Sequence, residues 1–242
     1  MQIELKVKRF HPEFDNRPHF ESYPLEVDPN ERIMDVLEQV RDRVDGSLAY
    51  RRSCGHAVCG SCAMRINGRN RLACKVLVKD VGSSQITLEP LLGLRVFKDL
   101  MVDMDPFFEQ YRSVLPYLIN DQPAPEGRER LQSPEDRQRF DDTTKCILCA
   151  ACTTSCPSYW SNHRYVGPAA LVNAHRFLFD SRDTAAGQRM RILNLPDGVW
   201  RCRTVFNCTE ACPRDIHITR AIAEIKQTLI LSKDTDGSSK RL

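Results

Sequence analysis

Long hydrophobic runs are missing from this sequence. No stretch approaches the roughly 20 consecutive apolar residues of a membrane-spanning helix. Charges interrupt every apolar run in the opening MQIELKVKRFHPEFDNRPHF, so no secretory h-region is expected. No Gly-x-Gly-x-x-Gly follows a strand pattern, and no catalytic triad is readable. A flavin or nicotinamide fold is therefore not expected within the chain. Charge of one sign is also scarce. The 35 basic and 32 acidic residues leave a net +3, too mild an excess to argue for nucleic acid. Hydrophobic residues make up 41% of the chain, which excludes a disordered protein. The expectation is a soluble, cytosolic chain that could still dock on a membrane protein.

Cysteine is abundant. Eleven in 242 residues, without an export signal, point to metal or redox chemistry rather than disulfides. The odd count also rules out complete internal pairing.

The two halves differ in pattern. In the first, Ile3, Leu5 and Val7 alternate with polar residues as a half-buried strand does, and Tyr23, Leu25 and Val27 repeat this. Asp28-Pro29-Asn30-Glu31 predicts a helix start, with Asp28 as cap and Glu31 closing a capping box. Ile33, Val36, Leu37, Val40 and Val44 then form one apolar helical face. Asn67-Gly68 predicts a tight hairpin, and Ile86 and Leu88 a further strand. These elements suit a small β-grasp domain. The second half has little strand pattern. Ser133-Pro134-Glu135-Asp136 and Gly167-Pro168 mark helix starts. Ile218, Ile222, Ile225 and Leu229 share a helical face. The fold class expected is α+β, with a β-grasp domain over residues 1–105 and an α-helical domain over 106–242. Residues 120–133 read as a polar surface loop, and SKDTDGSSKR with Leu242 as a flexible, solvated tail.

The cysteines fall into three groups. Cys54, Cys59, Cys62 and Cys74 follow C-x4-C-x2-C-x11-C, and the first three match plant-type [2Fe–2S] spacing. Gly55, Ala57, Gly60 and Ala63 allow backbone to wrap closely, so that N–H groups can point at sulfur. Arg51, Arg52, Arg65, Arg69 and Arg71 could offset the negative charge, although a solvated face explains most of them. The competing reading is a four-thiolate zinc site in an interaction scaffold.

Cys146, Cys149, Cys152, Cys156 and Pro157 give the bacterial ferredoxin run, whose fourth cysteine serves the other cluster of a pair. That run requires a reciprocal partner. Cys202, Val205, Cys208 and Cys212, followed by Pro213, supply it, with valine in the second position. Cys212 is thus expected to join Cys146, Cys149 and Cys152 around [4Fe–4S]. Cys156, Cys202 and Cys208 are left to hold a centre with an aliphatic fourth corner, which favours [3Fe–4S]. Four, four and three ligands use all eleven cysteines. Each such centre passes one electron, so three make a wire whose substrate chemistry lies on another subunit.

The order of the three groups, with CPSYW (156–160), GPAAL (167–171), RFLFDSRD (176–183) and RAIAEIK (220–226), resembles the iron–sulfur subunit of the succinate dehydrogenase and fumarate reductase family over nearly the whole chain. The resemblance implies a flavoprotein partner with covalent FAD and a transmembrane anchor, with or without haem. It implies attachment at the cytoplasmic face of a bacterial inner membrane and electron flow through the three centres to quinone. Fumarate reductase would run the same wire in reverse. The resemblance also implies a quinone end at Pro157, Ser158, Trp160 and Val205, with Lys226 nearby. Trp160 could equally pack at the anchor interface, and Lys226 could be a solvated helix charge. Two departures occur there. Arg203 stands where many relatives have histidine, and Ser161 where some have a second tryptophan. Arginine stays charged and cannot relay a proton as histidine does.

Overall fold

The computed structural model describes residues 1–235. Two compact units divide the chain after Pro106. The first holds Met1–Pro106 and also takes in Ile147–Ser155 and Ala211–Pro213; the second holds the remainder.

The first unit is built on a five-stranded sheet in the order β2-β1-β5-β3-β4. Its strands are β1 (Gln2–Arg9), β2 (His19–Glu26), β3 (Ala63–Ile66), β4 (Arg69–Leu72) and β5 (Gln85–Glu89). β1 pairs parallel with β5; the other pairings are antiparallel. With helix α1 (Ile33–Arg43) this is a β-grasp arrangement. Short strands β6 (Val96–Lys98) and β7 (Met101–Val102) form a separate ribbon. Alternation makes the core. Leu5, Val7, Ile86 and Leu88 are fully buried, as are Ile33, Val36, Leu37 and Val40 of α1. Each such side chain contributes about 1.5–3 kcal/mol by leaving water. Asn67 and Gly68 both take positive φ, 43° and 79°, which closes the tight turn between β3 and β4.

The start of α1 lies four residues later than the sequence predicts. Asp28 turns back on the N–H of Asn30 (2.7 Å) instead of capping the helix. Arg32 takes the N-cap position, where its N–H donates to Asp35 (3.1 Å). At the other end Val44 is the C-cap, 61% exposed, and leaves the apolar face. Met34, absent from the predicted face, is buried.

A buried guanidinium fixes the approach to the first cysteine loop. Arg9 donates to Asp99 (3.0 Å), Glu21 and Tyr23 (both 2.6 Å), and pairs with Asp45. Asp99 in turn accepts the N–H of Ala49 (2.9 Å), two residues before Arg51. Burying this charge is tolerable only because it is fully paired.

Among the described residues the second unit contains helices and no strand: α2 (Asp105–Ser113, which begins at the unit boundary), α3 (Pro134–Asp141), α4 (Pro157–Ser161), α5 (Gly167–Leu178), α6 (Ala186–Leu193), α7 (Asn207–Glu210) and α8 (Ile218–Thr235). The hydroxyl of Ser133 caps α3 by accepting the N–H of Asp136 (3.1 Å). α5 packs on α8. Ala170, Leu171 and Ala174 lie buried on the first, and Ile218, Ile222, Ile225 and Leu229 on the second. α8 continues through Thr235, into the segment expected to be a tail; the rest of that segment lies outside the described residues. The RFLFDSRD segment serves the fold. Arg182 pairs with Asp180 (2.7 Å), and fully buried Arg189 pairs with Asp183 (2.6 Å) while donating to the carbonyls of Leu115 and Tyr117.

Candidate metal centres

The first cysteine group sits on a loop shaped by left-handed residues. Gly55, Ala57 and Gly60 have φ of 70°, 63° and 73°. These turns aim backbone N–H groups at sulfur. Cys54 Sγ accepts from His56, Val58 and Cys59 at 3.4–3.5 Å, and Cys74 Sγ accepts from Ala57 at 3.2 Å. Cys62 and Cys74 lie on the inner side, both buried, with sulfurs 3.2 Å apart. The surroundings divide the thiols. The N–H of His56, then those of Cys59 and Val58, stabilise the Cys54 thiolate and pull its pKa down to about 6. Burial pushes Cys62 up to about 12. Four sulfurs with several inward N–H donors fit a [2Fe–2S] centre, whose thiolates and sulfides need those donors.

The neighbouring arginines play different parts. Arg52 pairs with Glu38, and Arg65 with Glu89 (2.9 Å), as members of a solvated face would. Arg51 is half-buried and lies near the thiols of Cys62, Cys149 and Cys59. Burial outweighs their attraction and lowers its pKa.

Ferredoxin-type runs occur at 146–156 and 202–212. Set in register, they carry left-handed backbone at the same two places. Leu148 (φ 53°) and Ala150 (63°) match Thr204 (56°) and Phe206 (68°). Such a conformation is uncommon outside glycine and is an outlier for a β-branched residue such as Thr204. Left-handed residues in a wrap of this kind let successive N–H groups face inward, toward negative charge. The register places Val205 opposite Cys149. Cys149 is 9% exposed and Val205 52%.

Side-chain donors hold the first of these runs. On β4, the buried amide of Asn70 donates to the carbonyl of Ala151 (3.1 Å) and the hydroxyls of Thr154 and Ser155 (both 2.8 Å). Asn173 of α5 reaches Cys146 Sγ at 3.5 Å and its own helix at the Ala169 carbonyl. Neither was a sequence-level candidate. An asparagine inside the apolar helix GPAALVNAHRFL was the available signal for the second.

In the last group, burial raises Cys208 to about 11, and the nearby Cys156 and Cys202 add repulsion. Burial also raises Cys156, while the N–H groups of Tyr159 and Ser158 and the Ser158 hydroxyl oppose it. Pro157 opens α4 directly after Cys156. Cys156, Cys202 and Cys208 line a recess together with Pro157, Ser158, Arg203 and Val205. Trp160, 42% exposed, stands outside that lining, as does Lys226. Lys226 is not a free helix charge. Its ammonium donates to the carbonyl of Cys202 (2.9 Å).

Comparison with known proteins decides the family. Residues 4–109 match the 2Fe-2S iron-sulfur cluster binding domain, and residues 139–213 the 4Fe-4S dicluster domain. The succinate dehydrogenase iron-sulfur subunit of Coxiella burnetii is 41% identical over 231 residues, 94% of this chain and 97% of that protein. The chain belongs to the succinate dehydrogenase iron–sulfur subunit family. The Paracoccus denitrificans subunit of the same name is also 41% identical, over 93% of this chain and 86% of that one. Among solved structures, a chain of the Mycobacterium smegmatis Sdh1 complex in the apo form aligns with a TM-score of 0.82 at 25% identity. The alignment covers 98% of this chain and 99% of that one. As a succinate dehydrogenase iron–sulfur subunit, the chain performs electron transfer within an oxidoreductase complex, with a [2Fe–2S] domain followed by a helical [4Fe–4S] domain. These matches leave the zinc-scaffold reading without support.

Proposed function

We propose that this chain carries electrons singly from FAD on a flavoprotein subunit to quinone at a membrane anchor. Cys54, Cys59, Cys62 and Cys74 hold [2Fe–2S]. Cys146, Cys149, Cys152 and Cys212 hold [4Fe–4S], and Cys156, Cys202 and Cys208 hold [3Fe–4S]. The clusters supply the one-electron carriers; the chain fixes their spacing and surroundings. The observation that carries this reading is the shared backbone of the two ferredoxin runs, left-handed at Leu148 and Thr204 and again at Ala150 and Phe206. One backbone wrap with a valine in place of one cysteine supports a four-iron centre in the first case and a three-iron centre in the second.

The recess at Cys156, Cys202 and Cys208 is the quinone end. Val205 and Phe206, 52% and 51% exposed, present apolar surface there, as an anchor-facing region would; Trp160, exposed outside the lining, adds apolar surface on the same short helix as Pro157 and Ser158. Trp160 can donate its indole N–H to a quinone carbonyl. Ser158 has its hydroxyl turned to Cys156, and its part is to support that thiolate. Lys226 ties α8 to the carbonyl of Cys202. Arg203, exposed on the rim, supplies fixed positive charge and no proton relay. Among the described residues no helix is long and apolar enough to cross a membrane. Peripheral attachment at the cytoplasmic face, through anchor subunits with or without haem, fits that. Succinate oxidation is the working direction, in keeping with the relatives' names.

The isolated complex should contain about nine non-haem iron atoms per copy of this chain. It should show three distinct iron–sulfur EPR signals and reduce quinone with succinate. Lack of a three-iron signal in the intact oxidised enzyme would overturn the assignment.

A further inference from the structure

Gly60 lies between Cys59 and Cys62 of the first group and is buried. Its bare Cα faces another cysteine run. A Cβ built on Gly60 would come within 2.7 Å of Cys149 Cβ, 3.0 Å of Cys149 Cα and 3.0 Å of the Ile147 carbonyl. Ordinary contact begins at 3.4 Å, so the two loops would have to part by about 0.7 Å. The positive φ of 73° at Gly60 is a second reason for glycine there. The backbone of one cysteine group thus lies directly against Cys149 and the Ile147 carbonyl of the next, with no room for a side chain at Gly60.

Two further features hold this contact. Asn70, at the end of the β3–β4 hairpin, anchors residues 151, 154 and 155, so the run after Cys149 is fixed to the sheet. Arg51 lies near thiols of both groups, Cys59 and Cys62 on one side and Cys149 on the other. Its positive charge offsets negative charge where two thiolate-rich loops meet.

We propose that Gly60 is a positioning residue for electron transfer. Its missing side chain seats Cys149 against the first cysteine loop and so sets the span an electron crosses between the first two centres. Cys149 and the Gly60 backbone form the junction, and Asn70 keeps it closed. This rests on the ligand sets given under Proposed function. Tunnelling between carriers falls steeply with separation, so a sub-ångström change at the junction is legible in a rate.

The test uses the whole complex. In Gly60→Ala, both centres should assemble with unchanged potentials. Succinate-driven reduction of the second centre, followed by rapid-freeze EPR, should slow severalfold. The magnetic interaction between the two reduced centres, seen as enhanced spin relaxation, should weaken. Gly82→Ala carries the same left-handed strain (φ 71°) with no atom within 4 Å of the added carbon, and should change neither quantity. If Gly60→Ala fails to assemble its clusters, Asn70→Ala loosens the junction from its other side and should give a smaller slowing of the same step. Full transfer rate and undiminished magnetic interaction in an assembled variant would overturn the proposal alone. A Cys149→Ser complex that keeps an unaltered four-iron signal would overturn the ligand assignment and the junction together.

Discussion

Leu148 and Thr204 occupy the same place in two runs of chain, as do Ala150 and Phe206, and all four adopt left-handed backbone. The side chains differ. In the first run the second corner is Cys149, 9% exposed, followed by Ala150 at 1%. In the other it is Val205, followed by Phe206, both about half exposed at 52% and 51%. One wrap is closed and entirely thiolate; the other has an apolar corner turned outward. The difference teaches that backbone conformation alone does not set the type of centre. A wrap that turns N–H groups inward suits any iron–sulfur core, and in the proposed assignment the residue at the second corner sets how many irons stay. The outward apolar corner also leaves exposed hydrophobic surface beside the recess at Cys156, Cys202 and Cys208, which the proposed function assigns to quinone.

Restoring the missing corner should abolish the difference. Val205→Cys is expected to convert the proposed three-iron centre to [4Fe–4S], with one more iron per chain and loss of the three-iron EPR signal from the oxidised enzyme. An unchanged centre after full iron loading would break the register on which the comparison stands.

A comparison of thiols gives the next largest effect. In cluster-free chain, Cys54 is pulled down to about 6 by backbone N–H groups and Cys208 is pushed up to about 11 by burial. Thiolate is the reactive form. Alkylation at Cys54 should therefore rise with a midpoint near pH 6 and level off above it. Cys208 should react more than about a hundredfold more slowly at pH 7. Mass-spectrometric mapping of alkylated cysteines across pH 5–9 would check this. The sign for stability follows from the same shift. A lowered Cys54 pKa favours the folded chain once pH exceeds the ordinary thiol value. That advantage shrinks as pH falls and is gone below about 6.

The smallest effect concerns strain. Thr204 is β-branched and held at φ 56°, whereas asparagine tolerates that region. Thr204→Asn should stabilise the cluster-loaded chain by about 0.5–1 kcal/mol, read as a raised calorimetric midpoint. Leu148→Asn at the matching place should give a smaller gain, because leucine is not β-branched and its side chain is half-buried. A loss of stability in Thr204→Asn would show that the threonine methyl or hydroxyl matters more than its backbone.

Much of the fold could be read from local pattern. Alternation at Ile3, Leu5 and Val7 marked a strand, Asn67-Gly68 the separate β3–β4 hairpin, and the spacing of Ile218, Ile222, Ile225 and Leu229 a buried helix face. The start of α1 was misread because Asp28 had two competing acceptor roles and the nearer N–H, that of Asn30, took it. Val44 fell off the apolar face because the helix ends at Arg43. Of the candidate site, the division of the cysteines into three groups was legible because their spacings are short and recurrent. Asn70, Arg9 and the bond from Lys226 to Cys202 were not. Asn70 meets residues 81–85 positions away, Arg9 meets Asp99 90 positions away, and no local pattern records such pairings.

By itself the sequence determined how the cysteines group, how many centres a consistent assignment of them allows, and which halves form sheet and helix. Thiolate spacing and hydrophobic period are local properties, set by the reach of a few residues of chain. Only the tertiary structure decided which loops touch, which thiols are shielded and which meet N–H groups, and that Gly60 lies against Cys149. Those depend on chain returning from far away, where excluded volume and desolvation act on whatever the fold brings together.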